Sequence, residues 1–521
     1  MKQENKQLLF SSHPFLFAIF PTLTVLSENL HLLLPTDIVF PLLLFVGIAI
    51  SIWIILFLIF RNLVKTSLIT SLSLFLFFAY GHFSSIIYDL FFQETTFKEH
   101  LILLSIFFVV IVVISRYIIK SKHTLHNISL ITTIIGVSIL ILPLVVIAGQ
   151  PSEENYLFNE ENIADFDYHE SSESSHLPDI YLIVLDSYPN EKILNELFDF
   201  DNSDFISFLS SKNFFIPENS FAHYHTSFLT ITSLLNMDYI NHLTNDVGVD
   251  SKNRFIAYKM IDQNKIMKIT KSQGYVNINI DSGWEATRYI SSADLNLCGK
   301  NQFLNSQTVV MMIKNSMLNP IYVKIFESDY RDRINCSFDS ISNIQEEIEQ
   351  PVFVFGHIFL PHGPYYWGSD GEYNIPEKAT LEGFHKDKKG FTDQLQFTNK
   401  KVKQFITKVL DESETPPIII LFSDHGTMLN FDNDVITEDY IFERMSNIMY
   451  VYLPDQNYNL LENGFSHINL LRMISNSYLD QKLPYLEQKY YFSDDKKPYR
   501  WLDVTDFLLK NKQIETSFFN E

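Results

Sequence analysis

The sequence predicts a protein in two parts, an α-helical membrane bundle followed by a water-soluble α/β domain. Apolar residues dominate as far as Ala148, whereas polar and charged residues return beyond Pro151. In the second part, short apolar runs alternate with amphipathic stretches, a pattern typical of helices around a buried parallel sheet. The 521 residues also exceed what one hydrophobic core usually organises. We therefore expect a membrane domain over residues 1–150, a linker over 151–177 and a soluble domain over 178–521.

The membrane part is predicted to contain about five spans. A spanning helix needs roughly 20 predominantly apolar residues. The stretch nearest the N-terminus, about Pro14 to Leu34, contains Pro21, Glu28 and His31. It is predicted as the first span, with a removable signal peptide as the alternative. The four stretches that meet the length requirement well are Ile38–Phe60, Ser67–Phe92, His100–Ile119 and Ile128–Ala148.

The distribution of Lys and Arg predicts the orientation of the spans, because cytoplasmic loops retain positive charge. Basic residues precede the first span and occupy alternate loops, namely Lys2, Lys6, Arg61, Lys65, Arg116, Lys120 and Lys122. With an odd number of spans, the N-terminus lies inside and everything after Ala148 emerges on the opposite side. We expect a multi-pass protein of the inner (cytoplasmic) membrane with a periplasmic or otherwise extracytoplasmic soluble domain.

The segment from Pro151 to Leu177 carries Asp, Glu and Ser but no Lys or Arg. Such a composition cannot bury enough apolar surface to offset its ordering entropy, which predicts a flexible acidic linker. The formal net charge of -22 also argues against a nucleic-acid partner. Cys298 and Cys336 lack the C-x-x-C spacing of metal or redox sites, and both a disulfide and two unpaired buried thiols remain open.

Three apolar runs in the soluble part are followed, at their carboxyl ends, by polar residues. Ile180–Leu185 is followed by Asp186, and Ile418–Phe422 is followed by Ser423 and then by Asp424 and His425. Functional groups in open α/β sheets collect outside the carboxyl ends of the strands, so these side chains are expected to meet. Two carboxylates and an imidazole suit a divalent ion, with zinc favoured and manganese or magnesium tolerated. The alternative is that each Asp simply caps a turn.

The third run, Val352–Phe359, leads into a Pro-His-Gly-Pro segment that contains His362. A further stretch, Phe221–Met237, combines several hydroxyl groups with a helix-like apolar pattern. A hydroxyl at the start of that helix could be an ordinary N-cap. Beside a metal ion and a helix N-terminus, however, the same hydroxyl would acquire a lowered pKa and could act as a covalent nucleophile.

Together these motifs resemble the sulfatase-like branch of the alkaline phosphatase superfamily, which includes membrane phosphoethanolamine transferases and lipoteichoic-acid-synthase-like phosphoglycerol transferases. The resemblance implies an alkaline-phosphatase-like α/β/α sandwich behind about five spans, and thus covers both parts of the chain. The segments that carry it are PDIYLIVLDSYP, SLLNMDYI with the hydroxyl-rich stretch before it, HIFLPHGPYY, FTDQLQFTNKKV and LFSDHG.

The resemblance also implies roles for individual residues. Asp186 takes the place of the first metal ligand, where the transferases usually have Glu, and Asp424 and His425 take the places of the paired later ligands. Ser227 takes the place of the nucleophile, which also binds the metal, with adjacent Thr226 as a rival. By the same resemblance, Thr230 is expected to bind substrate as the companion hydroxyl.

Two histidines complete the expected site. His362 resembles the histidine that contacts the transferred phosphate or protonates the leaving group, with a plain turn residue as the alternative. His467 could reach the substrate from a late loop, although an ordinary structural role is the simpler interpretation. His357, within an apolar run, is expected to be a core histidine.

The implied reaction moves phosphoethanolamine or phosphoglycerol from a membrane lipid donor to an envelope glycan or lipid acceptor through a covalent Ser or Thr intermediate. A metal-dependent phosphodiesterase would use the same residues. A true sulfatase needs a Cys or Ser within C/S-x-P-x-R, which Ser227 and the two cysteines lack. A non-catalytic membrane scaffold in envelope assembly is the alternative from a different class.

Overall fold

The computed structural model describes residues 11–30, 38–91, 97–149, 177–299, 307–374, 384–431, 435–461, 466–510 and 512–513. The chain divides into two compact units. The helical unit comprises Met1–Asn155 and Asn301–Asp329, and the sheet unit comprises Tyr156–Lys300 and Tyr330–Glu521. The range 301–329, which lies within the predicted soluble domain in sequence, groups with the helical unit. The predicted acidic linker lies outside the described residues up to 176.

Among the residues that the structure describes, five helices form the N-terminal part of the helical unit. Helices α2 to α5 are long and apolar enough to cross a membrane. Helix α1 has 16 residues and contains Pro21. At about 24 Å it is shorter than the hydrocarbon core, so the predicted first span is the weakest of the set. The helices are α1 (His13–Glu28), α2 (Val39–Phe60), α3 (Leu63–Phe91), α4 (Phe97–Lys120) and α5 (His126–Ala148).

The buried side chain of His13 in α1 contacts residues of α3 and α5. The Nδ1 atom of His13 lies 2.6 Å from the Ser71 hydroxyl, and its Nε2 atom lies 3.1 Å from the Ser129 hydroxyl. All three side chains are buried. Because both ring nitrogens have partners, this polar side chain is satisfied inside an otherwise apolar bundle.

The sheet unit is organised around one six-stranded sheet with the strand order β3-β2-β4-β1-β5-β6, in which only β6 runs antiparallel to its neighbour. A two-stranded ribbon, β7-β8, follows near the C-terminus. The strands are β1 (Ile180–Leu185), β2 (Val276–Ile280), β3 (Leu295–Leu297), β4 (Val352–Ile358), β5 (Ile418–Phe422), β6 (Met449–Tyr452), β7 (Tyr491–Asp494) and β8 (Lys497–Asp503).

The remaining helices precede, connect or follow these strands. They are α6 (Glu191–Phe198), α7 (Ser203–Ser211), α8 (Ser227–Asn236), α9 (Leu243–Val247), α10 (Phe255–Asp262), α11 (Lys265–Ser272), α12 (Glu285–Arg288), α13 (Gln307–Lys314), α14 (Asn319–Glu347), α15 (Lys388–Glu412), α16 (Glu438–Met445), α17 (His467–Tyr478) and α18 (Thr505–Lys510), with a 3-10 turn at Phe384–Lys386.

The central strand explains why this sequence forms a sandwich. All six residues of β1 are buried, and alternate side chains enter different cores. Tyr181, Ile183 and Leu185 belong to one apolar cluster. Ile180, Leu182 and Val184 belong to the other. A strand buried on both faces needs cover on both sides, as in sheets with parallel crossovers. The prediction of apolar membrane helices followed by an α/β domain is confirmed.

Cys298 and Cys336 form a disulfide bond, which settles the alternative that the sequence left open. Cys298 directly follows β3, and Cys336 lies in α14. The bond therefore joins the two ends of the segment that leaves the sheet unit and returns to it.

We predict that both cysteines of the purified full-length protein resist alkylation until a reductant is added. The reason is that two sulfur atoms joined in a disulfide have no thiol to alkylate. The bond closes a loop of 38 residues, which on chain-entropy grounds stabilises the fold by about 4 kcal/mol. Intact mass after iodoacetamide treatment, with and without prior reduction, measures this. Two alkylated thiols in the unreduced protein would contradict the pairing and the oxidising location it implies.

Candidate functional site

The carboxyl ends of three neighbouring parallel strands form the floor of the site. In the register of the sheet, Leu185 of β1 is opposite Ile358 of β4, and Val184 is opposite Phe422 of β5. The residues that follow β1 and β5 consequently lie at one edge. Asp186, Asp424 and His425 each present a ligand atom within 4.8 Å of the others, and all three are buried. The structure thus brings the expected ligand trio together.

Backbone contacts hold the two ligand-bearing loops against each other. The Ser187 amide donates to Asp424 Oδ1 at 3.2 Å, and the Tyr188 amide donates to the Ser423 hydroxyl at 2.9 Å. The Ser187 hydroxyl donates to the Gly426 carbonyl. Because the loop after β1 supplies all three donors and the loop after β5 supplies the acceptors, Asp186 and Asp424 are fixed near one another despite their like charges.

Several polar atoms at this edge have no hydrogen-bond partner among the described residues. These atoms are Asp186 Oδ1, Asp424 Oδ2 and His357 Nε2, and all three are buried. The two His Nε2 atoms approach the carboxylates without bonding them: His425 lies 3.4 Å from Asp424 Oδ2, and His357 lies 3.5 Å from Asp186 Oδ2. Two adjacent buried carboxylates are costly without a compensating cation, so this donor set fits a divalent metal ion.

The tautomer of His425 suits metal ligation. Its Nδ1 atom lies 2.9 Å from the Gly426 carbonyl, which can only accept, so Nδ1 carries the proton and Nε2 keeps its lone pair. Burial, assisted by the charge of Arg444, lowers the pKa of His425 to about 4. The imidazole is therefore neutral at pH 7. Burial alone would raise the pKa of Asp186, but the neighbouring His362, His357 and His425 hold it well below its usual range.

The nucleophile candidates lie at the start of α8. Ser227 is the first helical residue, and its Oγ atom is 3.2 Å from His425 Nε2. Thr226 is the N-cap residue, with a buried Oγ1 that lacks a hydrogen-bond partner among the described residues. The first backbone amides of a helix point outward and favour negative charge. Of the two hydroxyls, that of Ser227 has the described contact with the ligand trio.

His362 lines a small cavity beside the ligand trio. Ser187, the neighbour of Asp186, and Thr427, which follows Gly426, share the lining, as does His385. The charge of His362 acts on Asp186 and contributes to its lowered pKa. This position is compatible with the predicted contact to a phosphate or leaving group.

The two predicted substrate-binding residues have structural partners. Thr230 donates its hydroxyl to the Tyr224 carbonyl at 2.8 Å. His467, the first residue of α17, lies 3.0 Å from the Ser220 hydroxyl and packs its ring edge-on against Phe422. The described contacts of both side chains are with these groups, so a role in substrate binding stays a prediction.

His357, Gln394 and Arg444, none of which was predicted to act in the site, help to position it. His357 is buried as expected, but it faces both carboxylates and holds Thr287 Oγ1 through Nδ1 at 3.0 Å. Gln394 is fully buried on α15 and donates to the carbonyls of Pro361 and His362. The sequence signal for Gln394 was weak: a polar residue on a helical face that equally suited solvent.

Arg444 joins the two loops that carry the reactive groups. Its Nε atom donates to the His225 carbonyl at 2.9 Å, and one terminal nitrogen donates to the Gly426 carbonyl at 3.0 Å. His225 precedes Thr226 and Ser227, and Gly426 follows His425. Since the partners of Arg444 are backbone carbonyls, no residue pattern in the sequence could have indicated this bridge.

Comparisons with known proteins give a likeness of fold. No family model and no curated protein matches the sequence. The chain is similar to the C-terminal periplasmic domain of EcEptC from Escherichia coli in complex with Zn, with 12% identity, a TM-score of 0.43, and coverage of 66% of this chain and 97% of that one.

Two further solved structures are similar to this chain. The soluble domain of lipooligosaccharide phosphoethanolamine transferase A from Neisseria meningitidis has 11% identity, a TM-score of 0.36 and coverage of 60% and 90%. A putative sulfatase from Bacteroides fragilis has 16% identity, a TM-score of 0.35 and coverage of 62% and 83%. These are the classes that the motifs resemble. Because these TM-scores lie below 0.5, the reaction has to be inferred from the side chains of this chain.

We predict that Gly426→Ala sharply reduces the metal content of the purified protein. A Cβ atom here would overlap the backbone carbonyls of Glu443 and Ser446, so the loop bearing His425 must shift. Gly274→Ala is the control: Gly274 has positive φ but open space around it, so the substitution should cost about 1–2 kcal/mol of stability without moving the site. Elemental analysis of both variants measures the effect; equal metal content would contradict it.

We predict that acid destabilises the sheet unit through histidines outside the ligand trio. Burial lowers the pKa of His223 to about 4, below the value of 6.5 in the unfolded chain. The unfolded state then binds the extra proton first, so stability falls as pH drops from 6.5 towards 4, by about 3 kcal/mol for this residue. Across this pH range, the free energy of unfolding measured with denaturant should fall less for His223→Gln than for the wild type. The exposed His242→Gln is the control, and parallel curves for both variants would refute the assignment.

Proposed function

We propose that this protein is a membrane-bound, metal-dependent transferase that moves a phospho-headgroup, phosphoethanolamine or phosphoglycerol, from a phospholipid to an envelope glycan or lipid. One observation carries the proposal. The Ser227 hydroxyl stands at a helix N-terminus, 3.2 Å from His425 Nε2, beside two buried carboxylates with unpaired oxygens. A hydroxyl, a cation-binding trio and oriented backbone amides are the parts that nucleophilic attack on a phosphodiester requires.

Asp186, Asp424, His425 and the Ser227 hydroxyl would hold the ion. Carboxylate, imidazole and hydroxyl donors suit zinc or manganese best and tolerate magnesium. When bound, such an ion lowers the pKa of a ligated hydroxyl and neutralises developing charge on a phosphoryl oxygen.

The residues divide the first half-reaction between them. Ser227 Oγ, whose proton has passed to solvent before the cycle, attacks phosphorus as an alkoxide and forms the Oγ–P bond, while the bond from phosphorus to the diacylglycerol oxygen breaks. His362 gives a proton to that departing oxygen, and the first backbone amides of α8 stabilise the negative charge that builds on the equatorial oxygens. In the second half-reaction an acceptor hydroxyl attacks phosphorus and loses its proton to His362, and the Oγ–P bond breaks to release Ser227 as the alkoxide. Thr226 is the rival nucleophile, and Thr230 and His467 support substrate binding.

The membrane part suits a lipid donor. Four helices long and apolar enough to span a membrane, α2 to α5, are described before the sheet unit, and α1 is counted as a fifth span. With this odd number, the positive-inside distribution supports an N-terminus in the cytoplasm and a sheet unit on the opposite side. We place the protein in the inner membrane, with the sheet unit on the periplasmic side, where the Cys298–Cys336 disulfide would persist. Phospholipid headgroups are then available at the surface to which the enzyme is anchored.

We predict that the peptide containing Thr226 and Ser227, taken from protein purified from its native membrane, carries a phosphoethanolamine or phosphoglycerol adduct on Ser227. Fragmentation mass spectrometry locates the adduct and names the headgroup. Ser227→Ala should abolish the adduct and reduce turnover of a fluorescent phospholipid about 1,000-fold or more, because covalent catalysis is lost. Thr226→Ala is the matched control and should retain the adduct with reduced activity.

The same measurements separate the alternatives. An adduct on Thr226 would assign the nucleophile to the rival hydroxyl. Phospholipid turnover with water as the sole acceptor would identify a phosphodiesterase. Absence of turnover together with absence of stoichiometric metal would support the non-catalytic scaffold.

A further inference from the structure

The segment that follows β3 packs among the membrane helices. Residues 301–329 belong to the helical unit although they lie between β3 and β4 in sequence. The described part begins with α13, Gln307–Lys314, and continues through residues 315–318 into the first turn of α14. We name residues 307–321 the insert. The Cys298–Cys336 disulfide joins the chain segments that precede and follow the insert.

The insert buries apolar side chains against α1. Met312 is 1% exposed and joins the apolar cluster that contains Ala18, Leu26 and Phe78. The Thr22 hydroxyl of α1 lies 3.5 Å from the Met312 sulfur. Thr308 and Val309 are buried as well. The insert thus supplies part of the core of the bundle.

The insert also pairs with the backbone of α3. The Gly81 amide donates to the Asn315 carbonyl at 3.0 Å, and the Met317 amide donates to the Phe77 carbonyl at 3.0 Å. In a regular helix, Gly81 would donate to Phe77. The insert therefore contacts the backbone of α3 at two groups one helical turn apart. Such an approach requires glycine, since a Cβ at Gly81 would lie 2.5 Å from the Asn315 Cα.

The position of this contact along the bundle is consistent with the predicted orientation. Gly81 lies about 27 Å along α3 from Leu63. The opposite end carries Lys65, whose Nζ donates to the Ile119 and Ser121 carbonyls at the end of α4. The insert meets α3 far from this basic end, which the positive-inside rule places in the cytoplasm.

We propose that the insert is a docking element that holds the C-terminal half of the protein to α1 and α3 without needing the covalent connection through residues 150–176. Its partner surface is formed by Thr22, Ala18, Phe77, Phe78 and Gly81 of the same chain. The proposal is independent of the reaction, because none of these residues belongs to the ligand trio or the nucleophile.

The test is to cut the chain between the two halves and ask whether they stay together. A protease site is placed between residues 155 and 170 of the full-length protein, which carries an N-terminal affinity tag and is bound to resin in detergent. After cleavage, the C-terminal half should remain on the resin. Gly81→Ala should increase its release about tenfold or more, because overpacking at the backbone contact weakens the docking. Gly47→Ala of α2 has open space around its Cβ and should behave like the wild type.

A second pair of variants covers the case in which Gly81→Ala does not fold, as judged by size-exclusion elution before cleavage. Met312→Gln changes a buried residue of the insert, and Leu318→Gln changes one that is 40% exposed. Greater release for Met312→Gln than for Leu318→Gln supports docking through the insert. Immediate release of the wild-type C-terminal half, or equal release within the folded pairs, would overturn the proposal.

Discussion

The proximity of two buried carboxylates is the constraint on which the rest of the site depends. Asp186 and Asp424 leave the ends of adjacent parallel strands, and each keeps an oxygen without a hydrogen-bond partner among the described residues. Uncompensated, this arrangement is electrostatically unfavourable. Backbone donors from Ser187 and Tyr188 fix it, and the imidazoles of His357 and His425 face the carboxylates. The negative charge of the two carboxylates therefore remains available to bind a cation.

Neighbouring side chains hold the loops of the site in place mainly by donating hydrogen bonds to backbone carbonyls. Arg444 spans the His225 and Gly426 carbonyls, and Gln394 fastens the loop that carries His362. The reactive loops are thereby cross-linked to α15 and α16, whose apolar faces belong to the core. Preorganised groups need little rearrangement during a reaction, which is the main source of electrostatic catalysis.

The sequence predicted the fold class and the grouping of Asp186, Asp424 and His425 because strand ends obey a simple topological rule. The supporting residues followed no such rule. Arg444 and Gln394 act on main-chain groups that every residue possesses, and His357 looked like any histidine in an apolar run. The insert was missed because α13 spans only eight residues, too few for periodicity to reveal its partners. The pairing of Cys298 with Cys336 needed the fold itself, since spacing alone left it open.

The backbone pairing at Gly81 has a consequence for the order in which the protein matures. Helix α3 is synthesised more than two hundred residues before Asn315 and Met317, so the two backbone bonds between them form only after the insert has been translated. By then the first strands of the sheet unit have already been synthesised. The helical bundle therefore completes its core late, and a chain truncated before the insert would lack the buried Met312 side chain and both backbone bonds.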